Sequence, residues 1–445
     1  MEKKSKKVLL GVIVGVIVLA GIVIAAINVN NRIQEENAAI KAKKERIAKE
    51  EAAAAAQKQL VQEFHNIYSS LDGFNRSILK SSNGYDINFQ DAAFLNETDY
   101  VVIGDSARFE EDPTKDTPTK SFIKRFTKGN DKALWTKEIV GYFHSVAVTG
   151  AGDILVTGDN GYESKTFTVK YSSLGEQLWK KNITVEIIDD EDNYVTVTNN
   201  TITKLDSNGT ILWKKSLDNK MLSSFCIQDT KQNYIVIGES STGKGKTSKG
   251  IIIQYNKDGE KLLTKEFNGI DLDYLTDVQP LSNGGFVVVG SVDNTTYTNG
   301  YERKNGTSND CFIIKYDSDG NIISKIKYGN PNLDETFNDI EVVNINGRDD
   351  IIIAVGTSYD QFALDGEVLI NDSDKALMVV FEGDKVLYEH IVTDYKTSNF
   401  NRIALYNNDW RTPLLIGSVF DDSNRKGGIP LELFKGGYQG FLMFK

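Results

Sequence analysis

Gly284–Ser291 (GGFVVVGS) and Cys311–Gly329 (CFIIKYDSDGNIISKIKYG), separated by a polar insert, decide the fold. Phe286–Val289 is an apolar, β-branched run closed by Gly290. Cys311–Tyr316 is a second such run, and Asp317-Ser318-Asp319-Gly320 turns it into a third, Ile322–Lys327. A turn of Asp, Asn and Gly between apolar segments is a hairpin signal, because these residues accept left-handed backbone at little steric cost.

The unit recurs. An apolar run ending in glycine stands at Tyr100–Gly104, Ile154–Gly158, Tyr234–Gly238, Ile351–Gly356 and Leu414–Gly417, and Tyr194–Thr198 holds that place in a degenerate copy. The next strand follows as FIKRF (Phe122–Phe126), FTVKY (Phe167–Tyr171), TITKL (Thr201–Leu205), IIIQY (Ile251–Tyr255), LMVVF (Leu377–Phe381) and FLMFK (Phe441–Lys445). A last strand carries Trp135, Trp179, Trp213, Leu263, Ile323 or Leu387, and an earlier strand opens each unit. Four strands per unit, a period of about 35–65 residues and seven copies predict an all-β fold, a seven-bladed β-propeller spanning 73–445. The seventh copy lacks its last strand, and Asn75–Lys80 is an orphan strand ahead of the first copy. Pairing the two removes both free edges.

Asp206–Trp213 (DSNGTILW) and Tyr171–Trp179 (YSSLGEQLW) resemble the D-x-x-x-G-x-x-x-W repeat of quinoprotein-type propellers, and the glycine–strand–KY–DxDG order is similar to other bacterial tandem propeller repeats. That resemblance covers residues 75–445 at the level of the repeat. The cofactor and metal ligands of quinoprotein enzymes lie outside the repeat consensus, and none can be placed on this chain.

Ahead of the repeats, Val8–Ile27 is twenty residues without a charge, about 30 Å as a helix, which matches a bilayer's hydrocarbon core. Lys3, Lys4, Lys6 and Lys7 precede it and favour a cytoplasmic tail over 1–7, with the C-terminal mass outside. A cleaved signal peptide is the rival reading, but the run exceeds the usual h-region and no breaker precedes Val23-Ile24-Ala25. Residues 28–72, rich in Ala, Glu, Lys and Gln, predict a helical stalk. Ile33, Ile40, Ile47, Ala54 and Val61 form one apolar column, half a coiled-coil seam. Gly11 and Gly15 offer a spacing through which two such helices could self-associate. The expected place is the cell membrane, single-pass, the body extracytoplasmic.

Charge narrows the partners. Residues 1–73 hold eleven Lys/Arg against eight Asp/Glu, which leaves 40 against 54 for the rest of a chain of net charge −11. Such a body repels nucleic-acid phosphates, so no nucleic-acid partner is expected. Cys226 and Cys311 sit in apolar strands and read as buried hydrophobes. His65, His144 and His390 have no Cys or His at metal-ligand spacing, so neither a metal nor a cofactor is expected. Asp317–Asp319 and Asp189–Asp192 have enough oxygens to suggest Ca²⁺, yet Asp and Asn cap turns without metal. Gly238–Lys244 nearly makes a phosphate loop, but Gly245 follows the lysine and a strand follows the loop. The tryptophans, mid-pattern in apolar strands, suit packing between blades better than a sugar platform.

No catalytic constellation can be nominated from spacing. Loop length is more informative. The loop between second and third strands is long in copies one (Asp105–Lys120), five (Ser291–Asn309), six (Thr357–Lys375) and seven (Ser418–Gln439), which are neighbours once a ring closes. A raised lip beside the channel is expected, with Phe109, Tyr297, Tyr301, Tyr359, Phe362 and Phe434 as anchors and Arg108, Arg303 and Arg425 as donors. The expected function is a membrane-anchored binding or scaffolding module for a protein or glycan at the cell surface. The alternative is a glycan-acting hydrolase or lyase with its site at the channel mouth. A third, quinone-dependent oxidation, would show as absorbance of bound cofactor.

Overall fold

The computed structural model describes residues 2–68, 75–79, 85–108, 120–130, 132–160, 165–198, 200–217, 221–240, 249–267, 274–293, 297–298, 302–303, 309–330, 333–345, 350–360, 374–392, 397–407, 409–420 and 438–444. The chain divides into two units, residues 1–66 and 67–445. One helix, Glu2–Tyr68, runs unbroken through the first. No Pro interrupts it, and its second half is built of Ala, Glu, Lys and Gln, which form helix readily. It is long and apolar enough to cross a membrane. Its aliphatic side chains from Val16 to Ile27 are exposed on every side, as a lipid-facing segment requires.

The second unit is antiparallel sheet. The first sheet is Tyr85–Phe94, Asp99–Arg108, Lys120–Thr127 and Trp135–Val140, and the second is Tyr142–Val148, Ile154–Asp159, Thr166–Tyr171 and Gln177–Lys181. The third is Ile187–Ile188, Tyr194–Thr198, Thr201–Leu205 and Ile211–Ser216. Met221–Gln228, Tyr234–Ser240, Lys249–Tyr255 and Lys261–Phe267 form the fourth. Tyr274–Pro280, Phe286–Asp293, Asn309–Tyr316 and Ile322–Tyr328 form the fifth. The sixth holds Leu333–Val343, Ile351–Asp360, Lys375–Glu382 and Lys385–Ile391. In the closing sheet, Thr397–Ala404, Leu414–Phe420 and Tyr438–Phe444 are completed by Asn75–Leu79. The orphan strand thus fills the slot its sequence position suggested, Asn75 opposite Phe444 and Leu79 opposite Gly440.

The expectation of a seven-bladed propeller is corrected to six full blades and one reduced sheet. In the third, the inner strand is only Ile187–Ile188. The segment that would lengthen it bonds elsewhere: the Ile183 and Val185 carbonyls accept from the Thr168 and Thr157 hydroxyls of the second sheet at 2.8 and 3.5 Å. Shared cores join neighbours around the ring. Ile87 and Phe89 of the first sheet pack with Leu414 and Ile416 of the closing one. Five other seams are filled in the same way, by Val101 with Val156, Leu155 with Tyr194, Val195 with Val236, Ile237 with Val288, and Val289 with Phe337.

Two devices explain the repeat signals. In four sheets the glycine ending the apolar run faces an aromatic residue of the inner strand, Phe89–Gly104, Phe143–Gly158, Phe337–Gly356 and Phe400–Gly417. Directly after that aromatic the inner strand bulges, so its preceding carbonyl (Thr336 at Gly356) lies where any Cβ would stand. The second device joins sheets. Trp135 Nε1 donates to the Ser173 carbonyl at 3.2 Å, and Trp213 Nε1 to the Lys257 carbonyl at 3.1 Å, each in the next sheet's turn. The turn glycines Gly175 (φ 81°) and Gly259 (φ 78°) lie directly against those indoles. The tryptophans are therefore clasps between sheets, as their apolar context suggested.

Candidate functional site

The bulges also build the centre of the ring. On five inner strands the residue after the bulge turns toward the axis: Asp91, Ser145, Asp277, Asp339 and Arg402. They wall a cavity of about 260 Å³, with Gln279 and Glu341 two residues further along their strands, Thr157, and Glu186 at the rim. Ala147 and Ala404 stand at the equivalent further positions on their strands, where larger side chains would narrow the channel. Asp277 and Asp339 are buried, while Asp91 and Glu341 are half-buried.

These side chains bind the ring circumferentially. The peptide N–H of Val146 donates to Asp91 Oδ2 at 2.8 Å, that of Ile340 to Asp277 Oδ2 at 3.1 Å, and that of Ile403 to Asp339 Oδ2 at 2.8 Å. Each carboxylate thus satisfies a peptide donor on the inner strand of the next sheet, which has a ladder on one side only. Arg402 Nη1 donates to Asp339 Oδ1 at 2.7 Å. The bulge residues add to this belt: Asn338 Nδ2 donates to the Phe400 carbonyl at 2.7 Å and Asn401 Nδ2 to the Phe89 carbonyl at 2.5 Å.

Electrostatics follow from the count of charges. Burial pushes Asp91 up to about 6, against the pull of Arg402. Burial, then Asp339, raises Asp277 well above the carboxylate range, and burial with Asp339 and Asp277 does the same to Glu341. Glu186 is pushed up to about 7 by burial of its carboxyl, although its side chain reaches solvent at the rim. Asp339 first, then Asp91 and Asp277, hold Arg402 cationic. Chemically, the cavity offers carboxyls whose proton affinity is raised, one guanidinium and the amide of Gln279. Among the described residues, its lining includes no His or Tyr.

The lip residues fare differently. Arg108 ends a strand opposite Tyr85, and Tyr359 lies within the strand Ile351–Asp360 opposite Asp334, so both leave the loops assigned to them. The strands outrun their glycines because polar residues still pair there, as Asp105 does with Ser121. Tyr359 is half-buried, and burial, then Asp374, raises its hydroxyl's pKa. Tyr297 pairs with Arg303 in a two-stranded hairpin inside the fifth sheet's insert. Phe109, Tyr301, Phe362, Arg425 and Phe434 lie outside the described residues.

The other motifs resolve locally. The Asp317 carboxylate accepts the peptide N–H groups of Asp319 and Asn321, and Asp189 caps its own turn likewise. Residues 241–248, in the phosphate-loop look-alike, lie outside the described residues, and they join two antiparallel strands. Cys226 and Cys311 are free and buried. The belt itself was not found from the sequence. Its signal is an aromatic residue, one polar residue, then Asp or Arg on an inner strand: Phe89-Gln90-Asp91, Phe337-Asn338-Asp339, Phe400-Asn401-Arg402.

No family model matches the chain, and no curated protein matches it. Among solved structures it is similar to the streptogramin B lyase structure, at 11% identity over 84% of this chain and 98% of that one, TM-score 0.45. A protein of unknown function from Dyadobacter fermentans matches at 9% over 83% and 97%, TM-score 0.45. The extracellular domains of Drosophila Semaphorin 1b match at 10% over 83% and 86%, TM-score 0.41. None of these likenesses bears on activity.

Proposed function

We propose that this chain is a single-pass membrane protein whose extracytoplasmic propeller body acts as a binding or scaffolding module for a protein or glycan partner at the cell surface. The observation that carries this reading is the cavity at the ring centre, where Asp91, Asp277, Asp339, Glu341, Gln279 and Arg402 converge from four sheets. Concave sites with a few convergent polar groups are where ligands bind. Tyr297, Arg303 and Tyr359, with the other lip residues, are proposed as the outer part of the same surface. The membrane-spanning helix supports the anchoring, and the Lys3–Lys7 cluster supports the orientation.

The test uses the full-length chain in detergent, presented to a glycan array and to cell-surface protein extracts. Specific capture that is lost in Gln279→Ala/Glu341→Gln or in Tyr297→Ala/Tyr359→Ala, with thermal stability kept, supports the reading. Absence of capture, or capture indifferent to both pairs, overturns it. A second reading, a glycan-acting hydrolase or lyase, is favoured by one observation: Asp91 and Glu186 hold protons to about pH 6 and 7, as a general acid must. Turnover of surface glycans by the purified chain, abolished in Asp91→Asn, would select it over simple binding.

A further inference from the structure

We propose that the belt is a proton-operated clasp: protonation of its surplus carboxyls tightens the ring, and their ionisation loosens the seams on either side of the closing sheet.

The geometry is one of charge imbalance at a joint. Arg402 is the cation that the closing sheet sends into the channel, and carboxyls of both neighbouring sheets face it, Asp339 and Glu341 from the sixth and Asp91 from the first. Asp277 faces it from the fifth sheet and Glu186 stands at the rim from the third. The second sheet contributes Ser145 and Thr157, while its exposed His144 pairs with Asp159 Oδ2 at 2.7 Å. Among the described residues, none of the fourth sheet lines the cavity. One guanidinium thus meets four carboxyls of the belt, and among the described residues Asp339 is the one that pairs with it.

A protonated carboxyl keeps its carbonyl oxygen as an acceptor. The bonds from the Val146 and Ile340 peptides therefore survive protonation of Asp91 and Asp277, whereas ionisation adds only repulsion in a half-enclosed space. The seams on either side of the closing sheet rest on Asn338 and Asn401, whose amides must hold the Phe400 and Phe89 carbonyls against that repulsion. The raised proton affinities of Asp91, Asp277, Glu341 and Glu186 agree with this. Groups whose folded pKa is raised contribute stability that is complete below the ordinary carboxylate range. That stability is lost as pH rises through 6 to 7 and beyond.

Thermal unfolding of the full-length chain in detergent, from pH 5.5 to pH 8, tests the clasp. Wild type should melt at least about 4 °C higher at pH 5.5 than at pH 8. Glu341→Gln and Asp277→Asn should raise the pH 8 melting temperature and cut that difference to about half or less. A melting temperature that is flat or falls on acidification overturns the proposal. So does a pH dependence left intact in both variants. Glu335, which burial pushes up to about 8 at a different seam, is the control. If Glu335→Gln alone abolishes the pH dependence, the clasp is not in the channel. These readouts need no ligand, so they stand or fall apart from the binding reading.

Discussion

Asp189 carries more of the fold than any other carboxylate outside the channel. Its side chain is 1% exposed, accepts from Lys204 Nζ at 2.9 Å and Tyr234 Oη at 2.7 Å, and caps its own turn. Burial alone would raise its pKa, but the hydrogen bonds from Tyr234 and Lys204 outweigh burial and hold it below the usual range. Its contribution to stability is therefore present above the carboxylate range and lost as pH falls through the lowered value, opposite in sign to the channel groups. Replacing Asp189 by Ala leaves the Lys204 ammonium, 6% exposed, without its main partner. We expect a loss of about 3–5 kcal/mol in denaturant unfolding of the body. A loss below about 1 kcal/mol would show that Lys204 finds water or Glu191 instead.

At the scale of elements, the weak point is the closing sheet, whose outer strand comes from the other end of the chain. Asn75–Leu79 is held there by its ladder to Gly440–Phe444. Without it, Tyr438–Phe444 becomes an open edge, and an open edge invites pairing with other chains. Deleting Phe74–Lys80 should lower the melting temperature by about 5 °C or more and increase aggregation on heating, read by light scattering. A deletion that melts like wild type would mean the ladder adds nothing to the ring. The third sheet shows the converse. Its inner strand is two residues, yet Tyr194, Tyr234 and Lys204 lock it to its neighbours, so a reduced element persists where side chains replace ladder bonds.

For the whole molecule, the proposed anchoring raises the question of which side of a membrane the body occupies. Four lysines at the N-terminus and an uninterrupted apolar helix predict the body outside. Protease added to intact cells should remove it and leave a fragment retaining the N-terminal helix. Full protection until the cells are lysed would place the body inside instead.

Much of the fold was legible because it is written locally. A glycine after an apolar run marks where an inner strand bulges against its neighbour, and Asp-x-x-Gly marks a turn whose φ only glycine takes cheaply. Both constraints act over a few residues, so they repeat in the sequence at Gly104, Gly158, Gly356 and Gly417. The orphan strand was legible for the same reason: a missing strand and a spare one are both local facts. Blade size was less so, because the third repeat keeps its pattern while the residues ahead of Ile187 bond to side chains of the second sheet. The channel belt was not legible at all. Asp91, Asp277, Asp339 and Arg402 each sit in an ordinary strand, far apart in sequence. Ring closure brings them around one cavity, and the surplus of acid over base, with the raised proton affinity that follows, exists only once they meet.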